Sequence, residues 1–278
     1  MNKKELKSFL DEKARTFEYP KFLEQDPIQI PHRFVKKEDI EIAGFLVATI
    51  AWGNRKSIIK SGNRMMDFMD NDPYAFVMNH KDEDLKALDN FVHRTFNGLD
   101  FIYFMKALRN IYLNHNGLEF VFSKNQTAAA LYENIHLFKK TFFDLPHQKR
   151  TEKHVSDPFN GSAAKRLNMY LRWMVRPATQ GVDFGIWKRI KTAQLSCPLD
   201  VHSGNVARSL GILKRKQNDY KALIELDTAL RKFDPIDPVK YDFAYLVLVF
   251  MKALNDIKSF FFYLVLFKIQ NPFLSKNV

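Results

Sequence analysis

"CPLDVHSGNVARSLGIL", residues 197–213, places an aspartate and a histidine two positions apart just after a proline. Pro198 fixes the approach of the chain. Asp200 stands where a helix N-cap belongs, its carboxylate able to accept from the N–H groups of the next turn. Val206 and Leu210 are spaced to face a core, and Gly211 can end the helix. Taken alone, Asp200 is a cap and His202 an exposed first-turn histidine.

The same helical period recurs along the chain, and strand signals are scarce. "EDIEIAGFLVATIAWGNR" reads as a mostly apolar helix entered after Lys36–Lys37 and closing near Gly53. "KSIIKSGNRMMDFMDNDP" continues as an amphipathic helix to a stop at Asp72–Pro73. "GLDFIYFMKALRNIYLNHNG" lies between Gly98 and Gly117, with Asp100 as its N-cap. "TAAALYENIHLFKKTFFDLP" ends at a proline. In "HVSDPFNGSAAKRLNMYLRWMVRP" the Asp157–Pro158 and Asn160–Gly161 pairs mark a turn, and Ser162 caps a helix running to Arg176. "DYKALIELDTALRKFDP" is amphipathic again, and Asp237 caps a new helix with Pro238 at its first position. The expected class is all-α with short loops, one helical unit over 1–278 without repeats or linkers.

With 278 residues, 46% hydrophobic and 27% charged, the chain has an ordinary globular composition and can bury a full core. Its N-terminal stretch is charged and helix-like, which predicts no signal peptide. The single cysteine, Cys197, excludes internal disulfides and a four-cysteine iron–sulfur cluster, and fits a reducing cytoplasm. No metal site, cofactor or membrane partner is expected, and the oligomeric state is open. The net charge is +12. Between positions 139 and 191 twelve Lys or Arg stand against four acids, so that window carries eight of the twelve excess charges. Such a belt predicts a polyanion, because each phosphate neutralised releases a counterion. A soluble basic surface with no partner is the alternative.

Residues 244–278 hold no glycine, and eight of the thirty-five are aromatic. "SFFFYLVLF" is too short to span a bilayer. Two readings stay open for this tail: a buried helix, or a shifted reading frame, since codons for "AYLVLVFMKA" can be chosen so that the overlapping frame reads "LFGLGVYEG".

"PLDVHSGNVARSLGI" resembles the "VDxHxxRVxxRLG" segment of the helix-hairpin-helix DNA glycosylase superfamily, the group of endonuclease III and 8-oxoguanine DNA glycosylase. The resemblance implies two helical subdomains with a cleft between them, and a catalytic carboxylate at Asp200 with His202 beside it. Such an acid stabilises the cation that develops on the sugar, or activates the nucleophile. "FLVATIAWGNRKSIIKSGNRMM" is similar to an early superfamily segment in which a polar turn sends an amide into the DNA stack. Asn54 falls nearest that role, with Arg55 a phosphate contact; structurally "WGNR" also reads as a glycine C-cap between helices. The resemblance covers roughly residues 38–250.

The superfamily's hairpin, "LPGVGxKxA", lies about twenty residues before the aspartate, and bifunctional members carry a Schiff-base lysine there. The corresponding region here is "MVRPATQGVDFGIWKRIKTAQLSC", in which Gly181 and Gly185 can support a tight turn but no lysine has the expected spacing. Lys188 and Lys191 are the nearest, Lys188 being the candidate nucleophile, and Lys165 can approach only through the fold. "AAKRLNMYLRWMVRP", with "PLDVH" and "DPIDPVKYDF", resembles an uncharacterised bacterial family described only as a domain of unknown function distantly similar to these glycosylases. On that reading Lys165, Arg166, Arg172, Arg176 and Lys191 contact DNA, and Trp173 or Trp187 stacks on an extruded base. A core helix with snorkelling cations is the competing reading. The expected function is duplex-DNA binding with base flipping and excision of a damaged base; the alternative is a nucleic-acid-binding module that keeps the fold without the chemistry.

Overall fold

The computed structural model of the protein describes residues 2–18 and 20–253. Among these residues the secondary structure is helical apart from one hairpin, with loops between the elements. In order come α1 (Lys3–Phe17), α2 (Lys37–Thr49), α3 (Arg55–Phe68), α4 (Pro73–Asn79) and α5 (Asp82–Ala87). The strands β1 (Val92–His93) and β2 (Phe96–Asn97) follow, paired antiparallel. Then come α6 (Gly98–Asn114), α7 (Leu118–Phe122), α8 (Tyr132–Phe142), α9 (Lys165–Val175), α10 (Val201–Ser209), α11 (Tyr220–Phe233) and α12 (Tyr241–Ala253). Of the tail, residues 244–253 complete α12, and 254–278 lie outside the described residues.

α2 is buried on every side from Asp39 to Thr49, as an all-round apolar helix must be. It packs on α9, α4 and α3. Gly44 permits the approach of α9: a Cβ there would lie 3.0 Å from Met174 Cε and 3.3 Å from the Tyr170 ring. Around this helix an aromatic core gathers Phe45, Phe104, Phe138, Phe142 and Tyr170. A second core joins α1 to α10, α11 and α12 through Phe9, Leu10, Leu199, Leu223, Leu226 and Leu230. The chain thus starts in one cluster, builds the other, and returns.

α9 links the two. Arg172 donates to Asp183 at 3.2 Å and to Asp242; Arg176 donates to Asp237 at 2.8 Å, to Asp183 at 3.2 Å and to both oxygens of Glu18. Both guanidinium groups lie over the Phe243 ring, at 4.6 and 5.5 Å. Burial opposes the charge of Arg176, but the Glu18 hydrogen bonds and the charges of Asp237 and Asp183 outweigh it and raise its pKa.

Several caps differ from the sequence reading. Asn97, not Asp100, caps α6; Asp100 is the third residue of the capping box and is fully buried. Burial would raise Asp100, but His154, the Asn97 N–H and Thr151 hold it at about 2. Asp72–Pro73 does not merely stop α3: it opens α4, Asp72 accepting from Ala75 N–H at 3.3 Å. The cap position of α9 is Ala164, left-handed at φ 44°, while Ser162 Oγ accepts from Ala164 N–H at 3.0 Å. Asp237 turns its carboxylate to Arg176, and a short 3₁₀ turn precedes α12. The expected hairpin region holds no pair of helices. Residues 177–197 run as a strap that first doubles back on the last turn of α9, with Phe184 N–H on Trp173 C=O at 2.8 Å and Trp187 N–H on Met174 C=O at 2.9 Å. It then crosses to α7, where Glu119 accepts from the Lys188 and Arg189 N–H groups.

Two predictions follow from the interior. Arg176→Met leaves the buried Glu18 and the half-buried Asp237 without their cation, and Asp183 with Arg172 alone, so chemical denaturation should show a loss of about 3–5 kcal/mol; a change under 1 kcal/mol would contradict the account. Glu41 accepts from Trp187 Nε1–H at 2.6 Å and Tyr112 O–H at 2.7 Å, and burial pushes its carboxyl up from 4.5 to about 7 despite these bonds and Lys37. Between those values the folded chain keeps a proton that the unfolded chain releases, so Glu41 lowers stability as pH rises through that window. Glu41→Gln should therefore gain stability relative to the parent as pH rises from 4.5 to 7. A parent-to-variant difference independent of pH would refute the assignment.

Candidate functional site

The Asp200 turn forms as its residues dictate. Asp200 Oδ1 accepts from the N–H groups of His202 and Ser203, both at 2.9 Å, and the Ser203 hydroxyl accepts from Asp200 N–H at 2.9 Å, closing a capping box. Asn218 Nδ2 donates to Asp200 C=O at 2.9 Å and pins the turn from behind. One carboxylate oxygen is thus spent on the helix. The other, Oδ2, lies 3.7 Å from Lys165 Nζ at the start of α9.

This pair lines a cavity of about 800 Å³ whose walls come from both clusters. That volume is ample for a small organic ligand or one nucleotide. Trp52 and Trp173 line it, with His202, Arg55 and Arg166. Trp52 is half-buried and held by its neighbours: its ring meets His93 edge-on at 5.5 Å and stacks on His154 at 6.2 Å. Arg166 lies over the same ring at 4.8 Å and donates to Thr49 C=O. Burial lowers the Arg166 pKa to about 10. Asp26 and Asp242 complete the charged lining, each raised by burial against the pull of nearby cations. Gly53, at φ 100°, carries the chain past the cavity; a Cβ there would lie 2.9 Å from the Arg94 guanidinium carbon.

The residues singled out in the sequence divide accordingly. Asp200, His202, Arg55, Lys165, Arg166, Arg172 and Trp173 line the cavity. Asn54 sits between the lining residues Gly53 and Arg55, and its Oδ1 caps α3 by accepting from Ser57 N–H at 3.2 Å, which competes with a probing role. Arg172 and Arg176 are buried and bound to acids, so neither is a surface contact for phosphate. Trp187 is buried with its N–H on Glu41 and lines no part of the cavity, so it is not the stacking residue. Lys188 folds onto its own strap, Nζ donating to Gly185 C=O at 2.5 Å, and Lys191 is exposed on the same strap; neither lines the cavity. Lys188 is therefore not the amine beside Asp200; Lys165 is.

Sequence reasoning missed Trp52, Asp26 and Asp242 as lining residues. Trp52 and Asp242 lay inside quoted motifs, "WGNR" and "KYDF", as unassigned letters. Among the described residues no group of His, Cys, Asp or Glu is arranged to hold a metal ion, and no helix is long and apolar enough to cross a membrane.

A family described as a protein of unknown function, DUF2400, matches residues 26–250, and the chain belongs to that family. Neither curated proteins nor solved structures give a match.

The cap geometry makes a prediction for stability. Asp200→Ala removes the acceptor of two N–H groups and should cost about 1 kcal/mol, whereas Asp200→Asn keeps an acceptor and should cost a few tenths at most. Equal losses in thermal or urea melts of the two variants would show that the negative charge, not the cap, stabilises the turn.

Proposed function

We propose that this member of the DUF2400 family binds duplex DNA, turns one nucleotide out of the stack into the cavity, and breaks its glycosidic bond there. One observation carries the reading: the amine of Lys165 and the free carboxylate oxygen of Asp200, 3.7 Å apart, line a nucleotide-sized cavity beside two tryptophans. The resemblance of "PLDVHSGNVARSLGI" to the helix-hairpin-helix glycosylases supplies the reaction class. Extrusion is required because a stacked duplex hides the glycosidic bond.

The chemistry follows from the pair. Asp200 takes a proton from Lys165, and the neutral amine forms a bond to C1′ of the sugar as the bond from C1′ to the base breaks. The departing electron pair stays with the base, which takes up the proton that Asp200 holds. The ring oxygen then leaves C1′ with its bonding pair and receives a proton from the lysine nitrogen, whose lone pair closes a protonated imine. As its proton passes to the departing base, Asp200 becomes ionised, and its negative charge offsets the positive charge on the sugar and the lysine nitrogen. Trp52, held by His93, His154 and Arg166, gives the cavity beside the pair a fixed aromatic wall.

A second reading has its own support. Asp200 Oδ1 is committed to the cap, which is all a non-catalytic nucleic-acid-binding module would need of it. The two readings separate in one experiment. A panel of damaged-base duplexes is incubated with the protein in borohydride, and single-turnover base release is followed in parallel. The parent should give a trapped adduct on at least one duplex, Lys165→Gln none, and Asp200→Asn base release slower by orders of magnitude at unchanged affinity. DNA affinity should fall as salt rises. Binding without release or adduct on any duplex would leave the module reading standing; full activity in a folded Asp200→Asn chain would remove the carboxylate from the mechanism.

A further inference from the structure

One cation lining the cavity, Arg166, has no carboxylate beside it among the described residues. Three carboxylates and four basic side chains share its walls. Asp242 is met by Arg172, Asp200 faces Lys165, and Asp26 feels the charge of Arg55 before those of Arg172 and Lys165. Arg166 is left over. Its contacts among the described residues are a backbone carbonyl, Thr49 C=O, and the Trp52 ring. The two other arginines of this helix and its C-cap provide the contrast: Arg172 and Arg176, buried where Arg166 is half-buried, each hold at least two carboxylates.

A guanidinium half withdrawn from water with no carboxylate beside it is a costly arrangement, and its fork of donors matches a phosphate oxygen pair. Several features hold this one in place. The Trp52 face fixes the plane of the guanidinium, and His93 and His154 fix Trp52. The first turn of α9 adds to the positive field, because no side chain caps it and its cap residue, Ala164, is held left-handed at φ 44°. The helix end alone would mean little; here it stands beside an arginine whose position is locked and whose charge is uncompensated.

We infer that Arg166 is a positioning residue that holds one phosphate flanking the extruded nucleotide, placing the sugar between Lys165 and Trp52. The inference rests on the proposed reaction for its substrate, but the phosphate site can be tested separately. Lys165 precedes Arg166 on the same helix end, so anchoring a phosphate at Arg166 brings the adjoining sugar to the amine. The phosphate also supplies the charge that Arg166 lacks, while the Asp200 carboxylate remains with Lys165.

The test uses the full chain and duplexes carrying a tetrahydrofuran abasic analogue, in which either flanking phosphate is replaced by a neutral methylphosphonate. Neutralising one of the two should weaken binding of the parent about tenfold to hundredfold, the range of a charge-assisted hydrogen bond. Arg166→Met should show a similar loss on the unmodified duplex and no further loss on the neutralised one, and Arg166→Lys should recover part of it. Equal losses on neutralisation in parent and Arg166→Met would overturn the assignment. A purely structural role for Arg166 would give that result, since it would lower the melting temperature without erasing sensitivity to one phosphate. If the parent does not bind these duplexes at all, the proposed reaction falls, and thermal shifts with deoxynucleoside and deoxynucleoside monophosphate decide the phosphate site. Stabilisation by the monophosphate only, lost in Arg166→Met, supports it; no difference between the two ligands overturns it.

Discussion

Arg172 and Arg176 stand one turn apart, the first in the last turn of α9 and the second at its C-cap, and their charges are met by acids from separate stretches of the chain. Glu18 follows α1, Asp183 lies on the strap, Asp237 precedes α12, and Asp242 is in its first turn. A guanidinium buried without its carboxylate is costly by several kcal/mol, so α9 is stable where it is only when all these segments are in place. The cluster thereby sets the distance between the two cores. It also sets the cavity, because Lys165 and Arg166 begin the same helix and Asp242 both receives Arg172 and lines the wall. Apolar side chains could have joined the cores as firmly; ion pairs join them in one register.

Much of the helical order was legible in the sequence, because period and punctuation are local properties. The α10 turn is the clearest case: proline, aspartate and a serine three residues on specify a capping box without reference to the rest of the fold. The errors came where a local rule met a distant partner. Asp237 has the sequence of a cap, yet Arg176, sixty-one residues earlier, takes its carboxylate. Ser162 likewise has the chemistry of a cap, but the chain turns left-handed at Ala164 before α9 begins.

The site was legible in part for the same reason. Asp200 could be picked out because its motif is contiguous. The lysine beside it could not be picked out by spacing, since the strap of residues 177–197 lies between α9 and α10 and makes the separation thirty-five residues instead of about twenty. Lys188 has a more suggestive position in the sequence, but it is on the strap, and the strap folds back on α9 instead of leading into the cavity. Arg172 and Arg176 illustrate the limit of reading charge alone. Twelve basic residues in one window suggest a surface, but two of them are interior struts.

The shared core of α1 and α12 has a consequence for how the molecule comes into being. Tyr241 O–H donates to Asp11 across 230 positions, and α1 packs its Leu6, Phe9, Leu10 and Ala14 into a core whose other buried members come from residues 197–248, apart from Ala163. During synthesis the first helix is made before any of those partners exists. The cluster around α2 can condense while the ribosome is still working, but the other must wait for α12 to emerge. Closure of so long a loop is slow, and until it happens an amphipathic helix keeps its apolar face bare. The last step of folding is then the one that shuts the second wall of the cavity, so a chain that stalls before it would hold a finished aromatic core and an open, unbuilt site.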